Sequence, residues 1–273
     1  MSTSPDHTPI TASTATSTDA AAIAEYLDGL LETATTPDYS GALNGLQLDN
    51  RAPVRRVAAA VDFSRRTVEG AIAAGANLLI VHHGMFWSGA QRLVGPAYER
   101  LRLLIENDVA VYSAHLPLDR HAEVGNNVLL ARELGLEPSG GFAQYKGIAI
   151  GVRGESELPT ATIVERAAAL STRYGGAALA TPHAPGRITR RWGICSGGGA
   201  SSETLREAHE AGLDTLVVGE GPHHTAVEAP ELGIVVVYAG HYATETLGVC
   251  ALAERLEARY GLPWSFIAAP TGL

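Results

Sequence analysis

Apolar positions along this chain alternate between two spacings. Ile23, Tyr26, Leu27, Leu30 and Leu31 share one face at i, i+3/4, i+7/8 separation, which predicts a helix over 20–34 capped by Asp19. A β-type run follows at 54–61, a short Ser-capped helix at 64–74, and a buried strand at 77–81 (NLLIV). The pattern then predicts a helix over 96–107 with a proline near its start, a strand over 109–114, and a helix over 124–134 closed at Gly135. Further on it predicts strands at 192–196, 215–218 and 234–239, interleaved with helices at 202–211, 225–232 and 246–260. Strands alternating with helices predict an α/β fold with mainly parallel sheets.

The chain also resembles itself. RTVEGAIAAGANLLIV (66–81) aligns without a gap with ETLREAHEAGLDTLVV (203–218), and VAVYSAHLPLD (109–119) with VVVYAGHYATE (235–245). Two related α/β halves are expected, at 19–136 and 137–273, divided at the turn cluster EPSGG (137–141). Residues 1–18 are rich in Ser, Thr and Ala with almost no large apolar side chain, and read as a disordered tail. The stretches 36–45 and 175–186 read as loops.

Composition removes several classes of function. The 273 residues carry 20 Lys and Arg against 29 Asp and Glu, a formal charge of −9, which argues against a general nucleic-acid or anionic-membrane binder. A hydrophobic share of 46% fits a globular chain rather than a disordered one. The only cysteines, Cys195 and Cys250, exclude a disulfide scaffold and suit a reducing, cytoplasmic setting. No apolar run is long enough to span a bilayer, and the N-terminus lacks the pattern of a signal peptide.

Histidines at strand ends carry the chemical signal. His82 and His83 follow the NLLIV strand and precede Gly84, at the carboxyl end where parallel sheets gather ligands. There two adjacent rings can face one site, each aimed at one member of a metal pair. An isolated HH pair can equally satisfy backbone groups at a strand end. The other strand ends strengthen the metal reading, because His115-x-x-x-Asp119 and His241-x-x-x-Glu245 repeat one spacing in the two halves. Imidazole with carboxylate suits Zn, Fe or Mn. Glu220 and His223-His224 fall after the strand equivalent to NLLIV, either as partners that orient ligands or as a solvated loop. SGGG (196–199) reads as a tight turn, with a phosphate cradle as the other option, and Trp87 as a pocket wall or core residue, with stacking on a substrate base as the other option. NGLQ (44–47) favours a turn and by itself says nothing of function. Both thiols read as inert.

Taken in order, NGLQ, IVHHGMFW, HLPLD followed by GNN, GEGPHHTA and AGHYATE resemble the Nif-three-like dinuclear metal proteins, also labelled GTP cyclohydrolase type-two homologues. The resemblance covers roughly 20–268 and is to short members, since the stretch between the halves is too small for an inserted domain. It implies two divalent ions per chain between the halves, held by His82, His83, Asp119, His241 and a bridging Glu245, which is also the candidate catalytic carboxylate. His115, His224, Glu220 and Trp87 are then lining residues or further candidate ligands. It further implies a homo-oligomeric, hexameric ring. The expected activity is a metal-dependent hydrolase using a metal-bound hydroxide on a small, GTP-like substrate. The competing reading is a non-catalytic metal carrier or ring-forming scaffold.

Overall fold

The computed structural model describes residues 18–273, so the expected tail at 1–17 lies outside the described residues. Thr18, the last residue of that expected tail, is part of the fold: it is buried, and its carbonyl accepts the Val54 amide at 2.8 Å. Helix α1 (Ala20–Leu31) starts where expected, with the Asp19 carboxylate accepting the Ala22 amide at 2.7 Å.

The first sheet takes β1 (Gly45–Leu48), β2 (Val57–Asp62), β3 (Leu78–His83) and β4 (Ala110–Ser113), linked by α2 (Arg65–Ala73) and α3 (Pro96–Glu106). The chain then passes through a single turn, α4 (Leu116–Asp119), and α5 (Asn126–Glu133). The second sheet takes β5 (Gly140–Tyr145) and β6 (Ile148–Pro159), then, after α6 (Thr160–Arg173), β7 (Leu179–Ala180) and β8 (Ile188–Cys195). It is completed by α7 (Ser202–Glu210), β9 (Thr215–Val218), α8 (His223–Glu231) and β10 (Val235–Tyr238). A turn α9 (His241–Thr244), helix α10 (Thr246–Tyr260) and β11 (Trp264–Phe266) finish the chain.

The strand orders are β1-β4-β3-β2-β11 and β5-β6-β8-β9-β10-β7. In each sheet three central strands run parallel, β2-β3-β4 and β8-β9-β10, with an antiparallel edge strand on one side, β1 on β4 and β7 on β10; on the other side β11 adds in parallel to β2, and the β5-β6 hairpin adds antiparallel to β8. The segments that align in sequence are therefore α2-β3 with α7-β9, and β4-α4 with β10-α9.

Alternation along the strands buries both faces. Leu78 and Ile80 pack under α1 and α10, while Leu79 and Val81 pack under α2 and α3. In the second sheet Val217 faces α5 and α6, while Leu216 and Val218 face α7 and α8. Both sheets are thus sandwiched between helices, the architecture that parallel strands require.

One expectation needs correction. A division into consecutive halves at residue 137 does not hold, because α10 and β11 return to the first sheet. Trp264 pairs with Val57, and Val249, Leu252 and Leu256 fill the core beside α1. The physical cause is that α1 alone leaves part of that sheet face bare. The stretch between the EPSGG turn and the 175–186 loop, for which the sequence pattern predicts no element, forms the β5-β6 hairpin and α6, the hairpin turned at Lys146-Gly147, both at positive φ. Among the described residues no helix is long and apolar enough to cross a membrane.

Candidate metal centre

The carboxyl ends of the parallel strands from both sheets meet at one cleft. His82 and His83 end β3, His115 precedes α4, and His241 opens α9. Successive strand residues point to opposite faces, yet the His82 and His83 rings lie 4.8 Å apart, centroid to centroid. They converge because they lean past the end of the sheet, where Gly84 gives up its side-chain volume. A Cβ there would collide with the Gln47 amide and sit 2.6 Å from Ser113 Oγ. The NGLQ segment therefore has a structural role: Gln47 Oε1 accepts the Met85 amide at 2.6 Å and holds the turn after the histidines.

All four rings are anchored in the same way. Nδ1 of His82 donates to the Ala114 carbonyl, that of His83 to Asp62, that of His115 to Asp38 and that of His241 to Glu220, each at 2.8 Å. These partners are carbonyl or carboxylate oxygens, so Nδ1 carries the proton and, in a neutral ring, Nε2 keeps its lone pair. The ligand atoms of His82, His83 and His115 lie within 4.8 Å of one another, as do those of His83, His241 and Glu245.

The carboxylates are placed with equal care. Glu245, 3% exposed at the head of α10, turns Oε1 to His82 Nε2 at 3.5 Å. Its Oε2 faces His83 Nε2 at 3.5 Å and His241 Nε2 at 3.1 Å. Asp119 Oδ2 lies 3.6 Å from His82 Nε2, while its Oδ1 accepts Asn126 Nδ2 at 2.8 Å and Ser196 Oγ at 3.2 Å. The buried His82 Nε2 and Glu245 Oε2 have no hydrogen-bond partner in this arrangement. Unpaired buried atoms are costly, and a divalent cation between them would satisfy both. The donor set thus fits a metal, with Glu245 spanning two clusters.

In the metal-free chain protons supply the missing charge. Burial of His82 opposes its protonation, but Asp119 and Glu245 outweigh it and raise the pKa to about 10. Burial likewise opposes charge on His241, and Glu245 and Glu220 raise it to about 9. Glu245 is held well below its ordinary range: burial pushes it up, but His83, His82 and His241 pull it further down. Ion binding at neutral pH must therefore expel protons. Zinc affinity is expected to rise with pH towards 9–10, and proton release should appear as buffer-dependent binding heat. Pairing also stabilises the metal-free fold below the ordinary His value of 6.5, and this is lost as pH climbs through 9–10. Thermal melts should show that loss without zinc and a weaker one with it.

The cleft collects His82, His83, His115, Asp119, His241 and Glu245, with Glu220 behind His241 and the Trp87 ring 4.5 Å from His83 and His115. His224 is not among them; it lies exposed on the first turn of α8 because β9 ends a turn earlier and only Glu220 reaches back. SGGG serves the carboxylates, with Ser196 holding Asp119 and Gly197 lying against Glu245. Cys195 is buried, and burial pushes its thiol far up, consistent with an inert residue.

Sequence reasoning missed Asp38, Asp62, Asn126 and Asn127. Asp62 ends β2 beside His83 in register, a position that strand pairing could have exposed. Asp38 is half-buried in the 36–45 loop, where burial raises its pKa but His115 and Asn44 lower it further. Asn126 and Asn127 tie Asp119 to α10 and to Ser196 through the Gly248 and Ser196 amides. Replacing Asp38 or Asp62 by Asn should weaken metal binding about 10–100-fold, measured by competition with a chelator, because ring orientation is lost while every ligand remains.

A cavity of about 450 Å³ opens beside the centre, walled by Tyr39, Trp87, Tyr145, Gly198, Glu203 and Glu207 among others. That size is ordinary for a small-molecule site.

Known proteins share this arrangement of chain. The model of the family Duf34/NIF3 (NGG1p interacting factor 3) matches residues 18–271. A GTP cyclohydrolase 1 type 2 homolog of Deinococcus radiodurans is 41% identical over 254 residues, covering 92% of this chain and 93% of that protein. Among solved structures, protein ybgI, titled as of unknown function, matches with a TM-score of 0.82 at 31% identity, over 93% of this chain and 100% of that one. TTHA1606 from Thermus thermophilus matches with a TM-score of 0.79 at 38% identity, over the same shares of each chain. By the span of that family model and the near full-length agreement with these relatives, the chain belongs to the DUF34/NIF3 family.

Proposed function

We propose that the chain is a metal-dependent hydrolase of small molecules, with two divalent ions (Zn, Fe or Mn) held by His82, His83, Asp119, His241 and Glu245. His115 would be a further ligand. The observation that carries this reading is the convergence of anchored Nε2 atoms around a buried, bridging-type carboxylate at the edge of an open cavity. A bound pair of divalent ions lowers the pKa of water and polarises a carbonyl, imine or phosphoryl oxygen. The chain's own groups do the rest. Asp38, Asp62, Glu220 and the Ala114 carbonyl fix the rings. Asp119 and Glu245 offset part of the ions' charge. Trp87 and Tyr39 shield one side of the cleft from bulk water.

The relatives' name makes GTP the first compound to assay. Metal-replete protein should consume GTP or a related heterocycle, and the His82→Ala/Glu245→Ala variant should not. Absence of GTP turnover removes the cyclohydrolase version. Absence of turnover across a nucleotide and heterocycle screen removes the hydrolase.

One observation favours a carrier instead. His241 is 28% exposed, and a second opening beside it is lined by Asp62 and Glu220, an acidic path for a cation. A carrier would hand zinc to a chelator within minutes; a hydrolase would retain it. We also propose a cytoplasmic homo-oligomer, a hexameric ring, for which the exposed Leu93, Val94, Tyr98 and Ile105 offer apolar surface. Light scattering measures its mass.

A further inference from the structure

We propose that the cavity beside the metal centre takes an unphosphorylated planar heterocycle bearing amino groups, stacked against Tyr39, Trp87 and Tyr145 and held by Glu203 and Glu207. This rests on the hydrolase reading for the reaction, but not for the binding.

The walls of the cavity are aromatic near the centre. The Tyr39 ring lies 5.0 Å from that of Tyr145 and 6.3 Å from that of Trp87. Tyr39 is 51% exposed and Trp87 40%, so two large rings stay wet directly beside buried histidines. Ring faces left open in this way suit a flat, unsaturated partner, and they attract positive charge.

The outer wall is acidic. Glu203 and Glu207 line it, and among the described residues no lysine or arginine does. Lys146 lies 5.0 Å from the Tyr145 ring, but its ammonium donates to the Asp38 carbonyl at 2.9 Å and does not line the cavity. The start of α7 follows the glycine turn and would otherwise attract a phosphate. That place is taken by the protein itself: Ser201 caps the helix, its Oγ accepting the Thr204 amide at 3.1 Å, and Glu203 puts a carboxylate in the first turn, where hydrogen bonding at the helix start holds it below its ordinary range. A triphosphate at this outer wall would meet two carboxylates and no lysine or arginine. Exocyclic amino groups would meet the same carboxylates as hydrogen-bond donors.

The test is calorimetric titration of the zinc-loaded full chain with guanosine and with GTP, which share a ring and differ in charge. Guanosine should bind at least tenfold more tightly. Tyr39→Ala and Tyr145→Ala should each weaken guanosine about tenfold, with Tyr39→Phe retaining it and zinc content unchanged in all three. Glu203→Gln/Glu207→Gln should narrow the guanosine–GTP gap at least threefold. GTP binding as tightly as guanosine, binding of neither, or affinities indifferent to these variants would overturn the proposal. Guanosine bound, with no turnover of it or of any compound in the nucleotide and heterocycle screen, removes the hydrolase and leaves this inference. GTP turnover unaffected by the variants does the reverse.

Discussion

A Glu245→Ala chain is expected to leave purification with almost no divalent metal, well below an Asp119→Ala chain prepared beside it. The difference lies in how many rings each carboxylate serves. Glu245 places one oxygen toward His82 and the other toward His83 and His241, so both ligand clusters lose their common anion together. Asp119 presents a single oxygen to His82, its other oxygen being committed to Asn126 and Ser196. Loss of a direct donor should exceed the roughly 10–100-fold effect of losing a residue that only orients one. Removing Glu245 also strands protonated histidines, and breaking a buried charge pair from one side costs about 3–5 kcal/mol. Elemental analysis with circular dichroism on both variants decides the matter; equal metal content in two folded variants refutes it.

Gly197→Ala should damage the centre without touching a ligand. Gly197 has φ +59°, a left-handed conformation, and a Cβ there would collide with Glu245 Oε1 and lie 3.2 Å from His241 Nε2. The backbone term is about 1–2 kcal/mol and overpacking adds about 1–3. For a chain of this size that amounts to a fall of roughly 5–15 °C in Tm. Because the clash falls on Glu245, metal content should drop as well. Gly198→Ala is the internal comparison: its Cβ meets nothing within 4 Å, so Tm and metal should barely move. Similar losses in both variants would mean that the whole turn, rather than the Glu245 contact, sets the effect.

Much of this site could be read in the chain because its donors sit where strand patterning stops. NLLIV ends in His82-His83, and the two His-x-x-x-carboxylate spacings recur in segments that align without gaps. Those features are local in sequence. The residues that hold the rings are not: Asp38 reaches His115 from a polar loop, and Asp62 meets His83 only through strand pairing. No periodicity marks such partners. The β5-β6 hairpin escaped for another reason. It adds β5 as the edge of the second sheet, both strands are only partly buried, and β6 has a register shift between Glu155 and Leu158, so apolar alternation is weak there. Its turn is Lys-Gly rather than the stronger Asn-Gly or Asp-Gly signal.

The return of α10 and β11 to the first sheet sets the order in which the molecule can be completed. A ribosome delivers β2, β3 and β4 long before residues 246–266, so that sheet waits with one edge unpaired and one face only partly covered by α1. The strands of the second sheet, from β5 to β10, are continuous in the chain and can assemble in the interval. Glu245 stands at the head of α10 and arrives in the same step that covers the waiting face. Sealing the first core and delivering the last ligand are therefore one late event. A chelator present during synthesis should trap a nascent species with its second sheet formed and its first still open to protease.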